Sequence, residues 1–250
     1  MSNIYGSTLA RIYDILNNEV DYAAWASFVK ESIAKFSSIP VKSLCEVGCG
    51  TGSLAILLSK DYSVTACDFS EDMLTEAEAK ARSCGADVRF ILQDMRYTEM
   101  YSKKDCFVCS LDGINYLTKK QDVISAFSSI YNSLTSGGLF IFDINSRFKF
   151  ENIYADNHYV LEDNGIYCGW ENSYNPQSRI CDFYLSVFTE NADGTYSRFN
   201  EQQREKMYTV KQIKSYLKEV GFSVECVCGG LSFEESFEDS QEKVYFIAKK

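Results

Sequence analysis

The feature that most constrains this chain is the glycine-rich turn Glu46-Val-Gly-Cys-Gly-Thr-Gly52. It follows a short apolar run at residues 42–47, which is typical of a buried strand, and precedes residues 54–58, which begin a helix. Glycines allow a tight turn and let a ligand approach the main chain without a clash with Cβ. Because the first N–H groups of a helix lack intrahelical partners, they attract a carboxylate or a phosphate. The segment therefore predicts a ligand-binding strand–turn–helix unit.

The first 145 residues alternate between apolar runs typical of buried strands and stripes typical of amphipathic helices. Predicted strands lie at residues 42–47, 62–67, 88–92, 105–111 and 139–144, with two more at 222–228 and 243–248. Strands that alternate with helices favour βαβ units and a parallel sheet. We therefore predict an α/β fold with a doubly wound, mostly parallel sheet of seven strands.

The pattern changes between residues 149 and 208, where aromatic residues are frequent and apolar positions recur every second residue. This period of two is typical of strands with one buried face, and here that face would carry Cys181, Phe183, Leu185 and Val187. The segment Asn191-Ala-Asp-Gly194 is typical of a hairpin turn. We interpret residues 149–208 as an inserted antiparallel β cap.

The insertion would divide a single ligand-binding domain into residues 1–148 and 209–250. Residues 1–38 have helical spacing of their apolar positions and would form an N-terminal helical lid. The cap could pack internally, line the pocket or form a homodimer interface, and the sequence leaves these three open.

The charge balance narrows the range of partners. The chain has 25 basic and 35 acidic residues, a net charge of −10. An acidic surface disfavours nucleic acids and anionic membranes, since both require Lys and Arg opposite their phosphates. No run approaches the roughly 18 apolar residues of a membrane span, and no signal-peptide pattern is present. We expect a small-molecule substrate, with no nucleic-acid or membrane partner.

The ten cysteines are scattered, many of them in apolar runs, where cysteine acts as a small core residue. This usage favours a reducing, cytoplasmic setting. Cys106-Phe-Val-Cys109 has the spacing of some metal sites, but positions three apart in a strand face opposite sides. The single histidine, His158, lies in the cap. We predict no metal site.

Two acidic residues follow strands near the glycine turn. Asp68 ends the second predicted strand and Asp94 follows the third. In doubly wound sheets the ligand binds at the carboxyl ends of the strands, and an acid after the second strand can accept both hydroxyls of a ribose. Asp94 could meet an adenine amino group. A nicotinamide-dependent oxidoreductase shares this layout, but its fingerprint is G-x-G-x-x-G, and Ser53 stands at the third position here.

Across residues 40–145 the chain resembles the class I S-adenosylmethionine-dependent methyltransferases. The segment Glu46–Gly52 is similar to the first motif of that family, and Asp68, Asp94 and Leu111-Asp-Gly-Ile-Asn-Tyr116 fall where its later motifs lie. The resemblance implies a Rossmann-like domain, S-adenosylmethionine as cofactor and methyl transfer as activity. An insertion after the fifth strand and an aromatic N-terminal helix are similar to small-molecule N-methyltransferases of the glycine and amino-sugar type. An amine acceptor is therefore favoured over a hydroxyl, and a cofactor-binding regulator without turnover is the alternative.

The resemblance also implies a set of cofactor-binding residues. The glycine turn, including Cys49, would hold the methionine moiety, and Asp68 would hold the ribose. Other residues would contact the adenine or the sulfonium side, or would form the lid. The full set is Glu46, Gly48, Cys49, Gly50, Gly52, Asp68, Phe69, Met73, Asp94, Met95 and Leu111, with Tyr13, Tyr22 and Trp25 as lid residues.

The catalytic candidates lie just beyond the fourth strand. Tyr116 could orient the nucleophile or the methyl group, and Asp112 could attract a substrate ammonium, with Asn115 between them. Methyl transfer is an in-line displacement that mainly requires alignment and exclusion of water. Arg147, after the fifth strand, could meet a substrate carboxylate. Ordinary packing of Tyr116 and a surface ion pair of Arg147 are the alternatives.

Overall fold

The computed structural model describes residues 7–250 and contains two sheets. The helices are α1 (Ser7–Leu16), α2 (Tyr22–Phe36), α3 (Ser53–Leu58), α4 (Glu71–Cys84), α5 (Lys120–Ser133) and α6 (Val210–Val220). The strands are β1 (Ser43–Val47), β2 (Ser63–Asp68), β3 (Val88–Leu92), β4 (Lys104–Cys109), β5 (Leu134–Asn145), β6 (His158–Asp163), β7 (Ile166–Asn175), β8 (Ile180–Glu190), β9 (Tyr196–Lys206), β10 (Ser223–Gly230), β11 (Ser232–Ser236) and β12 (Lys243–Lys249). Short 3-10 turns cover Met95–Tyr97 and Gly113–Tyr116, and a π-helical turn covers Lys149–Tyr154.

The larger sheet has the strand order β11-β10-β12-β5-β4-β1-β2-β3. Strands β1 to β5 pair in parallel, and β12, β10 and β11 are added antiparallel at one edge. The predicted doubly wound, mostly parallel α/β fold is confirmed. The sequence did not predict the short strand β11, which pairs with β10 at two positions, Cys228 with Ser236 and Gly230 with Ser232.

Helices cover both faces of this sheet. One core cluster includes Phe127 from α5 and Ile213 from α6. The cluster on the other face includes Phe28 from α2 and Leu54 from α3. Because β4, β1 and β2 are neighbours in the sheet, their carboxyl ends lie side by side between these layers. The carboxyl ends of the strands are where ligands bind in doubly wound sheets.

The smaller sheet is antiparallel, in the order β6-β7-β8-β9, as predicted for the inserted β cap. Its buried face carries Cys181, Phe183, Leu185 and Val187, and the predicted hairpin turn closes with Gly194 N donating to the Asn191 carbonyl at 2.9 Å. Ile12 of α1 packs into the same cluster. Helix α1 also contacts α4, so it bridges the cap and the α/β domain.

Within residues 7–250, no helix is both long enough and apolar enough to cross a membrane. The described chain also contains no group of three or more His, Cys, Asp or Glu that could hold a metal ion. Cys106 and Cys109, with the spacing considered for a metal site, are buried free thiols in β4.

Candidate cofactor site

The turn after β1 exposes its main chain because its glycines adopt conformations that other residues avoid. Gly48, Gly50 and Gly52 have φ angles of 67°, 53° and 73°. Gly52 N donates to the Cys49 carbonyl at 2.9 Å, which closes the turn. A Cβ on Gly48 would lie 3.2 Å from Cε of Met95. The bare backbone therefore forms one wall of the cavity above the sheet.

Asp68, at the end of β2, connects this turn to the start of α4. Its Oδ2 accepts a hydrogen bond from Gly50 N at 2.9 Å, and its Oδ1 accepts one from Ser70 N at 2.9 Å. Burial raises the pKa of Asp68, and these two N–H donors oppose that rise. The Phe69 N–H also acts on this carboxylate. An ionised carboxylate has about four acceptor positions, so one can still receive a ribose hydroxyl.

Glu46, near the end of β1, lines the cavity and has one carboxyl oxygen that is not paired. Its Oε1 accepts a hydrogen bond from the hydroxyl of Ser110, after β4, at 2.9 Å. Its Oε2 is buried and has no hydrogen-bond partner among residues 7–250. Burial raises the pKa of Glu46 to about 8. An orphaned buried acceptor costs about 1–3 kcal/mol, so a ligand that donates here, such as an ammonium group, would be bound favourably.

The structure brings most of the predicted cofactor-binding residues together around this cavity. Those on its wall are Tyr13, Tyr22, Glu46, Gly48, Cys49, Gly50, Asp68, Phe69, Met73, Met95 and Leu111, with Tyr116 at one end. Phe69 is half exposed at the mouth, whereas Met73 is buried behind it. This mixture of apolar surface and a few polar atoms suits a nucleoside with a charged tail.

Three residues of the predicted cofactor-binding set do not line this cavity: Gly52, Asp94 and Trp25. Gly52 is wrong as a ligand contact: a Cβ there would lie 3.1 Å from both Ala77 and Phe90, so its role is close packing of α3 against α4 and β3. Asp94 lines the adjoining cleft, where its carboxylate is held by the Arg96 guanidinium, and its contact with the adenine stays a prediction. That ion pair keeps the pKa of Asp94 below its ordinary value.

Trp25 and Arg147 are also placed away from this cavity. Trp25 of α2 is 2% exposed and its ring lies 5.3 Å from that of Tyr245, so it belongs to the core and not to a lid. Arg147 donates to Glu151 at 2.9 Å in an exposed pair. The structure thus supports the surface ion pair for Arg147, the alternative to a substrate contact.

Asp112 is wrong as a residue that attracts a substrate ammonium, because a cation of the chain already occupies that position. Its Oδ1 lies 2.7 Å from Nζ of Lys243. Asn115 is likewise a structural residue: its amide donates to the Lys206 carbonyl at 2.8 Å, and its Oδ1 accepts from Asn145 N at 3.0 Å. Both residues fasten the turn after β4 to neighbouring elements.

Tyr116 lies where the cofactor cavity opens into a larger cleft of about 860 Å³. The cleft runs between the turns after β3 and β4 and the cap strands β8 and β9. The Tyr116 hydroxyl donates to Oε1 of Gln203 on β9 at 3.0 Å. Because that bond uses the only hydroxyl proton, the oxygen can act as an acceptor toward a bound molecule. The cleft is large enough for a small substrate.

Residues missed by sequence reasoning hold α1 over the cofactor cavity. Asp14 of α1 accepts from the Thr51 hydroxyl at 2.6 Å and forms an ion pair with Lys80 of α4. Lys80 also donates to Thr51 at 2.9 Å and to Ser53 at 2.8 Å. No local pattern marks these residues, since their contacts join separate elements. They fix Tyr13 beside the glycine turn.

The donor and acceptor set fits S-adenosylmethionine. Glu46 Oε2 would receive the ammonium group of the methionine part, the bare turn at Gly48–Gly50 would accommodate its chain, and Asp68 would receive the ribose. Phe69 and Met73, which line the cavity, would supply the apolar surface for the adenine. The site thus offers a partner for each part of that molecule.

Comparisons with known proteins agree with this geometry. Residues 44–138 match the model of a methyltransferase domain family. A putative methyltransferase from Geobacillus sp. (strain WCH70) is 35% identical over 239 residues, which cover 95% of this chain and 96% of the relative.

Solved structures extend the comparison to the whole fold. An S-adenosylmethionine-dependent methyltransferase from Clostridium acetobutylicum ATCC 824 has a TM-score of 0.88 and 30% identity, with 97% of each chain covered. A sugar N-methyltransferase from Streptoalloteichus has a TM-score of 0.76 at 18% identity, covering 100% of this chain and 98% of the other, and so shares the fold. From these relatives and the site described above, the chain belongs to the class I S-adenosylmethionine-dependent methyltransferases, and its cofactor is S-adenosylmethionine.

Proposed function

We propose that this methyltransferase transfers a methyl group to the nitrogen of a small polar amine bound in the cleft beside Tyr116. S-adenosylmethionine would supply an electrophilic methyl group. The bound ammonium group would first lose a proton to water, its nitrogen lone pair would form the new bond to carbon, and the carbon–sulfur bond would break with its electrons left on sulfur. The protein has to align the two molecules and exclude water, because a neutral amine needs no strong base.

The observation that carries this proposal is the lining of the cleft. It contains four carboxylates, from Asp94, Asp122, Asp182 and Glu201, and two guanidinium groups, from Arg96 and Arg204. The excess of negative charge favours a cationic molecule over an anionic one. Four side-chain amides, from Gln93, Asn200, Gln202 and Gln203, can both donate and accept hydrogen bonds, which suits a hydroxylated substrate such as an amino sugar.

Two further facts support an amine acceptor. The Streptoalloteichus enzyme, which shares this fold, is a sugar N-methyltransferase. The net charge of −10 also disfavours a nucleic-acid acceptor.

The proposal is tested by transfer of a tritiated methyl group from S-adenosylmethionine to a panel of amino sugars and small amines, each paired with its hydroxyl analogue. We expect incorporation into one or more amines and none into the matched hydroxyl compounds. Incorporation into hydroxyl compounds alone would contradict N-methylation. Saturable cofactor binding with no transfer to any compound would instead favour a regulator without turnover.

We expect Tyr116→Phe to lower kcat about fivefold on the best amine of the panel, because a single hydrogen bond to the nucleophile is worth about 1 kcal/mol. The KM for S-adenosylmethionine should stay within twofold, since the substitution keeps the ring. Tyr97→Phe is the control: Tyr97 is an exposed tyrosine and does not line the cleft. Equal kcat values in the Tyr116 and Tyr97 variants would remove the assigned role of the Tyr116 hydroxyl.

We expect Lys80→Met to raise the dissociation rate of S-adenosylhomocysteine roughly three- to fivefold, because a partly exposed ion pair is worth up to about 1 kcal/mol. Loss of the Asp14–Lys80 pair frees α1 to lift from the cavity. The rate can be measured by stopped-flow displacement. Lys30→Met, which removes the 2.5 Å pair of α2 with Asp61, is the matched control and should leave the rate unchanged. An unchanged rate in the Lys80 variant would show that α1 does not retain the cofactor.

A further inference from the structure

The backbone immediately after β4 is strained at two successive residues. Leu111 and Asp112 have φ angles of 55° and 56°, in the left-handed region, although neither is glycine. Such conformations cost about 1–3 kcal/mol each and persist only where surrounding contacts enforce them. Leu111 lines the cofactor cavity, so this strain lies on the wall of the site.

The contacts that enforce the strain come from β5 and β12. Asp143 of β5 is fully buried, and both its oxygens lie 3.1 Å from Asp112 N, which donates to them. Lys243 begins β12, where it pairs with Asn145 of β5, two residues beyond Asp143. Its Nζ lies 2.7 Å from Oδ1 of Asp112 and 2.6 Å from Oδ2 of Asp143. One ammonium group thus joins the fully buried carboxylate of Asp143 and the largely buried carboxylate of Asp112 on the strained turn.

We propose that Lys243 is a positioning residue for cofactor binding, which holds Asp112 in its left-handed conformation and thereby keeps Leu111 on the cavity wall. This role goes beyond the proposed amine acceptor and does not depend on it. Sequence position gives no hint of it, because Lys243 is 131 residues from Asp112.

The physical reason is the charge on the two carboxylates. Without the ammonium group, Asp112 and Asp143 face each other in a buried site, and like charges at that separation repel strongly. The Asp112 side chain then turns away, its φ relaxes to a negative value, and Leu111 leaves the wall.

A purely structural role for Lys243 makes a different prediction. It would lower the stability of the fold without changing the affinity of the folded protein for cofactor. Lys249→Met is the matched control, since Lys249 is on the same strand and pairs with Glu225 at 3.0 Å. Titration calorimetry with S-adenosylhomocysteine and the Tm of each variant separate the two roles.

We expect Lys243→Met to weaken S-adenosylhomocysteine binding at least tenfold, and Lys249→Met to change it less than twofold, while both lower Tm. An affinity of folded Lys243→Met within threefold of the wild type overturns the proposal. The readout is binding alone, so its failure is distinct from a failure to methylate amines.

Two double variants keep the test valid if Lys243→Met does not fold. Lys243→Met combined with Asp112→Gly or with Asp112→Ala removes the repulsion in both cases, but only glycine adopts the left-handed conformation without strain. We expect the glycine variant to bind S-adenosylhomocysteine at least fivefold more tightly than the alanine variant. Equal affinities would show that the conformation at position 112 does not control binding.

Discussion

Replacement of Glu46 by glutamine is expected to weaken S-adenosylhomocysteine binding by roughly 10- to 100-fold, the range for loss of a charge-assisted hydrogen bond. Oε2 of Glu46 is buried on the cavity wall and has no partner among the residues described. We expect it to receive the ammonium group of the ligand, because that contact would satisfy the buried oxygen. Glutamine keeps the size of the side chain and the bond from Ser110 but removes the charge. Isothermal titration calorimetry measures the change.

The same substitution is expected to raise the Tm of the protein without cofactor at pH 8.5. The pKa of Glu46 rises from an ordinary value of 4.5 to about 8 on folding, because burial disfavours its charged form. The folded state therefore binds a proton more tightly than the unfolded state. This contribution to stability is complete below pH 4.5 and is lost as the pH rises through about 8. Glutamine does not titrate, so its advantage should appear at pH 8.5 and vanish near pH 4.5.

The affinity for S-adenosylhomocysteine should follow the opposite trend in the wild type. Binding requires the ionised form of Glu46, so affinity should increase from pH 6 to about pH 8. It should stay nearly flat in Glu46→Gln over the same range. A wild-type profile as flat as that of the variant would show that Glu46 is not the partner of the ammonium group.

Glu205→Gln is the matched control for these experiments. Glu205 of β9 is also buried, and its pKa is also raised by burial. It accepts from the Asn145 amide at 2.9 Å and does not line the cofactor cavity. The control should shift stability at high pH without weakening S-adenosylhomocysteine binding. Equal weakening in both variants would mean that loss of any buried carboxyl group disturbs the site.

The sequence predicts the parts of the fold that depend on local pattern. The strand before Gly48, the acid that ends β2 and the helix from Glu71 follow from apolar spacing, turn chemistry and helix capping. Ser70 caps α4 as its position suggests, with its hydroxyl accepting from Met73 N. Each of these features is defined by residues that are close together in the chain. The sequence alone therefore predicts the glycine turn and the position of Asp68.

The sequence does not reveal which cation pairs with a given carboxylate. Asp94 follows the predicted strand but forms an ion pair with Arg96, two residues further along. Asp112 forms an ion pair with Lys243, near the far end of the chain. Trp25 lies on the face of α2 that covers Tyr245, which spacing alone cannot decide. Asp143 did carry a signal, because a charged residue inside the apolar run Phe140–Ile144 requires a buried partner.

The start of β5 shows a limit of another kind. The sequence analysis placed the fifth strand at residues 139–144, whereas α5 ends at Ser133 and β5 already begins at Leu134. Leu134 pairs with Lys104 of β4, and Gly137 follows with a φ of 82°. Pairing with a neighbouring strand therefore outweighed the local preference for helix.

Asp68→Asn is expected to lower the free energy of unfolding by about 2–3 kcal/mol and to weaken S-adenosylhomocysteine binding at least 100-fold. Two main-chain donors, Gly50 N and Ser70 N, point at opposite oxygens of the carboxylate at 2.9 Å each. An amide presents one oxygen and one NH2 group, so one of these buried N–H groups would face another donor. The glycine turn would then move away from its position, and the ribose would lose an acceptor. Chemical denaturation and calorimetry measure the two effects.

Asp105→Asn separates the loss of binding from the loss of stability. Asp105 also accepts hydrogen bonds from two main-chain N–H groups, but it lies at the amino end of β4, opposite the end that carries the cofactor cavity. Its Oδ2 accepts hydrogen bonds from Lys42 N, just before β1, and from Ser43 N, at the first residue of β1, both at 3.0 Å. Each variant removes charge from an aspartate that holds two main-chain N–H groups, but only Asp68 lies at the carboxyl ends of the strands. We expect both variants to be less stable than the wild type, and only Asp68→Asn to bind S-adenosylhomocysteine weakly. Wild-type affinity in folded Asp68→Asn would mean that neither the ribose nor the position of Gly50 depends on this carboxylate, and the cofactor site would have to lie elsewhere.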